Sequence, residues 1–96
     1  MTNIYFVKNQ NNHVKIGRSK NIEKRLQELQ TGNSKDLKIL YYIENIPEHF
    51  EQHIHNISNK FHIQGEWFDI RIIEFLFKNP WFKENVKKYE QKQLYN

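Results

Sequence analysis

The chain has 96 residues, a net charge of +4, 38% hydrophobic and 15% aromatic residues, and no cysteine. Its length bounds it to one modest core; the aromatic content excludes a disordered tail; the missing cysteine excludes disulfides, thiolate metal sites and cysteine nucleophiles. The basic balance favours a polyanionic partner, no apolar run is long enough to span a bilayer, and the N-terminal "MTNIYFVKN" lacks the charged start and apolar core of a signal peptide, so an intracellular setting is expected.

In chain order, "NIYFVKN" (Asn3 to Asn9) is a β-branched and aromatic run that predicts a strand, and "QNN" (Gln10 to Asn12) predicts a turn. "HVKIGR" (His13 to Arg18) alternates apolar Val14 and Ile16 with His13 and Lys15 and predicts a second strand. A three-residue loop would then set Asn9 opposite His13 and Tyr5 opposite Gly17, with Tyr5 and Lys15 as diagonal neighbours on one face. A helix is expected to start near Ser19 or Asn21, both good caps. It buries Ile22, Leu26 and Leu29 and ends at "TGN" (Thr31 to Asn33), with Gly32 available as a left-handed cap. Arg25 lies at the flank of that stripe.

"DLKILYYIE" (Asp36 to Glu44) predicts a third strand. A second helix opens at "NIPEHF" with Pro47 in its first turn and a stripe of Phe50, Ile54, Ile57 and Phe61. Glu51 and His55, four apart, share a face beside that stripe. "IQGEWFDI" reads as a turn or short extended piece, in which Trp67 and Phe68 are expected core anchors. Asp69 is expected to cap an apolar helix carrying Ile72, Ile73, Leu76 and Phe77. "NPWFKENVKKYEQK" restarts an amphipathic helix with Asn79 as cap and Pro80 at its first position; Lys83, Lys87 and Lys88 lie on its solvated face, where they could add DNA affinity. The expected architecture is α+β, a small three-stranded antiparallel sheet flanked by helices, with two extra C-terminal helices. The expected organisation is a single domain over 1–96, with a core over 3–70 and a helical extension over 71–96.

"NIY" (Asn3 to Tyr5), "KIG" (Lys15 to Gly17) continuing as "KIGRS", Arg25 in "EKRL" and Glu51 in "FEQHIH" stand in an order that resembles the GIY-YIG nuclease superfamily. "GEWF" (Gly65 to Phe68) is similar to its small branch carried by phages and large DNA viruses. The resemblance implies hydrolysis of a phosphodiester with one divalent metal, Mg²⁺ or Mn²⁺. It implies Tyr5 as general base, Lys15 as its support, Arg25 on the scissile phosphate and Glu51 on the metal. Two departures stand out: Lys15 replaces the second-motif tyrosine, and Asn3 replaces the first-motif glycine.

The chemistry of these residue types is compatible with those roles. Arg25 offers a planar fork of donors that matches phosphate oxygens, and Glu51 offers a hard oxygen ligand suited to Mg²⁺. Tyr5 is a poor base at the ordinary phenol pKa of about 10, and neighbouring cations would favour its phenolate. Arg18, Lys20 and Lys24 are candidate backbone-phosphate contacts. His55 and Ser19 are candidate supports of the site; the plain readings are a capped or core-edge residue for His55, which such a histidine more often is, and a helix cap for Ser19. Against the expectation of a metal-dependent DNA endonuclease stands a non-catalytic DNA- or protein-binding module on the same fold; RNA is a third substrate class. Double-stranded DNA is the preferred partner. The chain shows no separate targeting segment, so a targeting partner or a homodimer would supply specificity or a second cut.

Overall fold

The computed structural model describes residues 1–33 and 37–90. Strands β1 (Thr2–Lys8) and β2 (His13–Ser19) form the expected hairpin. Asn9 sets its turn: its Oδ1 accepts from the Asn11 and His13 N–H groups at 2.9 and 3.0 Å, and Asn12 takes the left-handed conformation with φ 60°. The register follows, with Tyr5 opposite Gly17 and Val7 opposite Lys15. Helix α1 (Ile22–Asn33) is capped by Asn21, whose Oδ1 accepts from the Lys24 N–H at 3.1 Å. The helix ends at Asn33, the last residue of "TGN", with Gly32 inside its final turn rather than as its cap.

Strand β3 (Lys38–Ile46) pairs with the other side of β1; the expected start at Asp36 lies outside the described residues. At its end Asn45 takes φ 56° and donates its N–H to Asn3 Oδ1 at 3.1 Å. Asn3 Nδ2 in turn donates to Ser19 O at 3.0 Å. The asparagine in the first-motif glycine's place therefore ties together the ends of three strands.

Pro47 sits in the turn before α2 (Phe50–Ile57), not inside it, and its carbonyl accepts from the Phe50 N–H at 3.0 Å. Phe61, expected on the α2 stripe, falls in a following 3₁₀ turn, Asn59–Phe61. A short hairpin follows, β4 (His62–Gln64) and β5 (Trp67–Asp69), turning at Gly65 with φ 55°. Asp69 Oδ1 accepts from Arg71 N at 2.9 Å and Arg71 Nε at 3.0 Å. Those bonds, the backbone one first, hold its carboxyl below the usual carboxylate range. They anchor the start of α3 (Arg71–Phe77). Asn79 caps α4 (Pro80–Asn85) as expected, accepting from the Phe82 N–H at 3.1 Å.

The amphipathic helix expected beyond Asn85 is corrected. Val86 is extended, and Lys87–Lys88 form strand β6, paired with Tyr42 and Tyr41 of β3. The open edge of β3 offers unpaired backbone groups, and this pairing, with Lys87 Nζ 3.0 Å from Glu44 Oε1, prevails over helical periodicity. The tail of that expected helix, Gln91 and Lys92, lies outside the described residues.

The architecture is α+β, and the expected three strands are the centre of a six-stranded antiparallel sheet of order β4-β5-β2-β1-β3-β6. Alternation along the strands builds a core on each face. On one face Tyr5, Val7 and Ile39 pack against Leu26 and Leu29 of α1. On the other, Ile4, Phe6, Val14, Ile16 and Ile43 pack against Ile54, Ile72, Leu76 and Phe82 from α2, α3 and α4. No helix among the described residues is long and apolar enough to cross a membrane.

Candidate functional site

Sheet pairing beside β2 changes partway along the strand. β5 covers His13 to Lys15, and the Ile16 N–H then donates to Glu66 O in the β4–β5 turn at 3.0 Å. Beyond it, Gly17 and Arg18 are not paired with β5. Side chains from both faces of the sheet converge at this uncovered edge.

From the α1 face come Tyr5, Lys15 and Arg25. Tyr5 is only 1% exposed, more buried than a half-covered strand tyrosine. Its hydroxyl lies over Gly17, where a Cβ would stand 2.3 Å from it. Position 17 thus requires glycine because of close approach, not because of φ. Arg25 Nε donates to the Tyr5 oxygen at 3.4 Å, and its Nη1 is 3.9 Å from Glu28 Oε1. The bond to Tyr5 first, then the nearby Glu28 and Glu66 carboxylates, raises the Arg25 guanidinium pKa above its ordinary value. Lys15 Nζ lies 3.8 Å from Glu66 Oε1.

From the α2 face come Glu51 and His55. The Glu51 side chain is 15% exposed, and its Oε2 is buried with no hydrogen-bond partner. Burial is the main cause that raises its carboxyl above the ordinary value; the neighbouring Glu66 adds to this, while His55 and Arg18 oppose it. His55 Nε2 is 3.1 Å from Ile16 O. A carbonyl only accepts, so that nitrogen carries the proton. The ring stands edge-on to Phe68 with centroids 5.1 Å apart. Donor atoms of Glu51, His55 and Glu66 all lie within 4.8 Å of one another.

Glu66 therefore links the two groups: it faces Glu51 and His55 on one side and Lys15 and Arg25 on the other. Sequence reasoning passed over it, because a lone acid in a short turn has no periodicity; the quoted "GEWF" was its only signal.

The candidate phosphate contacts are divided. Arg18 is half-exposed, with Nε 3.8 Å from Glu51 Oε1 and Nη1 donating to Glu48 O at 3.3 Å. Lys20 Nζ is 3.4 Å from Glu48 Oε1. Both border the site. Lys24 is exposed on α1. Ser19 forms a local turn, accepting from the Asn21 N–H at 3.2 Å and donating to Asn21 O at 3.0 Å.

Hard oxygen donors, one of them buried and unsatisfied, fit a divalent cation at Glu51. Compared with known proteins, residues 2–91 match the family model of the T5orf172 domain. No curated protein and no solved structure matches the chain.

Proposed function

The chain belongs to the T5orf172 domain family, and from that membership we propose a nuclease-like, DNA-handling domain that acts as a metal-dependent endonuclease with a GIY-YIG-type site. The observation that carries the reading is the buried Glu51 Oε2, which accepts no hydrogen bond and lies 4.0 Å from His55 Nε2, beside Glu66 in a cluster bordered by Lys15, Arg18 and Arg25. Glu51 would hold Mg²⁺ or Mn²⁺, which when bound supplies stabilisation of the charge that develops on the phosphate and leaving oxygens.

The remaining roles fall to the chain's own groups. The Arg25 fork takes non-bridging phosphate oxygens and stays charged at any working pH. In the resting arrangement Arg25 Nε occupies a lone pair of the Tyr5 oxygen. A phosphate that draws Arg25 away opens the Tyr5 oxygen to the attacking water, whose proton it would take as the phenolate, its own proton having first passed to solvent. Lys15, on the same face two residues before Gly17, adds positive charge beside the phenol. Arg18 and Lys20 track the flanking backbone.

Incubation of supercoiled plasmid with wild type and Glu51→Ala, in Mg²⁺, Mn²⁺ and EDTA, tests this. Wild type should cut only with metal, and the variant should be slower by at least about a hundredfold with its circular dichroism unchanged. A folded wild type that leaves every DNA form intact overturns the reading.

One observation favours a second reading, a non-catalytic DNA-binding module: Tyr5 is 1% exposed and its oxygen is occupied by Arg25. That reading predicts no cleavage, with DNA binding steeply dependent on salt and unaffected by Glu51→Ala.

A further inference from the structure

We propose that Glu66 is a second carboxylate ligand to the divalent cation held at Glu51, and that the "GEWF" segment is the device that delivers it. The inference rests on the metal role of Glu51 proposed above and goes beyond it, since nothing in the motif resemblance gives Glu66 a task.

The delivery is built residue by residue. Gly65 takes φ 55° with open space where a Cβ would be, so the turn uses glycine for its conformation and not for packing. Its carbonyl is 2.8 Å from His62 Nε2, which closes the turn. Glu66 is pinned by its own backbone, the carbonyl accepting from Ile16 N–H at 3.0 Å. Trp67 and Phe68 then pair with Lys15 and Val14, and Phe68 is buried in the larger core. The main chain is thus fixed on both sides of Glu66, while its side chain remains 48% exposed. A carboxylate on an anchored backbone, half-exposed and held at its end only by the 3.8 Å ion pair to Lys15, suits an ion shared with substrate.

The geometry also separates Glu66 from His55. Ligand atoms around an octahedral ion with bonds of about 2.1 Å stand about 3 to 4 Å apart. The three donors lie within 4.8 Å of one another, so small side-chain rotations suffice. His55 Nε2, however, carries a proton donated to Ile16 O. Its part is to lock α2 against β2 and so aim Glu51. Glu66 meets Lys15 only at 3.8 Å, which leaves oxygen lone pairs available. Two carboxylates without imidazole make an all-oxygen protein set, which selects Mg²⁺ or Mn²⁺ and disfavours zinc.

The test is Mn²⁺ binding to the full chain without DNA. Free Mn²⁺ is followed by electron paramagnetic resonance, and water in the bound ion's shell by proton relaxation. Glu66→Gln should weaken binding by about tenfold or more and raise relaxation by one added water, because solvent replaces a lost ligand. Glu44→Gln, paired with Lys87 at the far edge, should change neither readout. Weakened binding with unchanged relaxation would mean that Glu66 acts only through its charge, and overturns the ligand role. Wild-type behaviour of Glu66→Gln, with binding lost in Glu51→Gln, overturns Glu66 alone. Equal binding by wild type and Glu51→Gln overturns the Glu51 site as well. Should Glu66→Gln fail to fold, Glu66→Asp keeps the charge, shortens the arm, and is judged by the same two readouts.

Discussion

A methyl group at position 17 would stand 2.3 Å from the Tyr5 hydroxyl, and Tyr5 is held in place by Val7, Leu26, Leu29 and Ile39. Gly17→Ala should therefore cost about 1–3 kcal/mol, seen as a lower Tm, and should break the Tyr5–Arg25 bond. Glu51 makes the opposite case, since its burial raises the carboxyl above its ordinary value. Between the unfolded and folded values the native chain binds the proton more tightly than the unfolded chain. Its contribution to stability is therefore full below the ordinary carboxylate pKa and is lost as pH rises through the raised folded value. In EDTA, Glu51→Gln should accordingly raise Tm at neutral pH, and the gain should vanish as pH falls below about 4.5; a gain that persists in acid would contradict the burial account. The Tyr5–Gly17 pair was legible in the sequence because a hairpin's loop length fixes its register. Glu66 was not, because its position depends on a turn fixed by long-range pairing of β5 with β2 and by Phe68 in the core.

Among the elements, the two C-terminal helices are as much part of the core as the strands. Phe82 of α4 is 3% exposed and stands edge-on to Phe6 at 5.6 Å and Phe77 at 5.2 Å. Phe82→Ala should destabilise by about 3–5 kcal/mol, read as a fall in the urea midpoint at unchanged m-value. The helix starts were readable, since Asn79–Pro80 and Asn21 are local capping chemistry. What the sequence concealed was settled at a distance. Lys87 and Lys88 continue a helical pattern locally, yet the free edge of β3 and the carboxylate of Glu44 draw them into a strand. The three-residue strands β4 and β5 are too short to show alternation, and Gly32 looked like a cap although it lies inside the final turn of α1.

Across the molecule the basic residues of the site border are tied to acids: Lys15 to Glu66, Arg18 to Glu51, Lys20 to Glu48 and Arg25 to Glu28. The exposed pairs among them, Lys20–Glu48 and Arg25–Glu28, are worth less than about 1 kcal/mol, so phosphates can displace those acids. Lys20→Gln should weaken DNA binding equally for all sequences and reduce the salt slope by about one, measured as log Kd against log salt. The division of the core has a kinetic consequence. The α1 face rests on the smaller cluster, around Tyr5, Leu26 and Leu29, while α2, α3 and α4 share the larger one. The amide protons of α1 should therefore exchange with deuterium ahead of those of β1 and β2. Arg25 rides on that first-opening helix. A bound phosphate gripped by Arg25 would then act as a clasp, and DNA should slow exchange along the whole of α1 while leaving α3 and α4, which carry no residue of the site, unchanged.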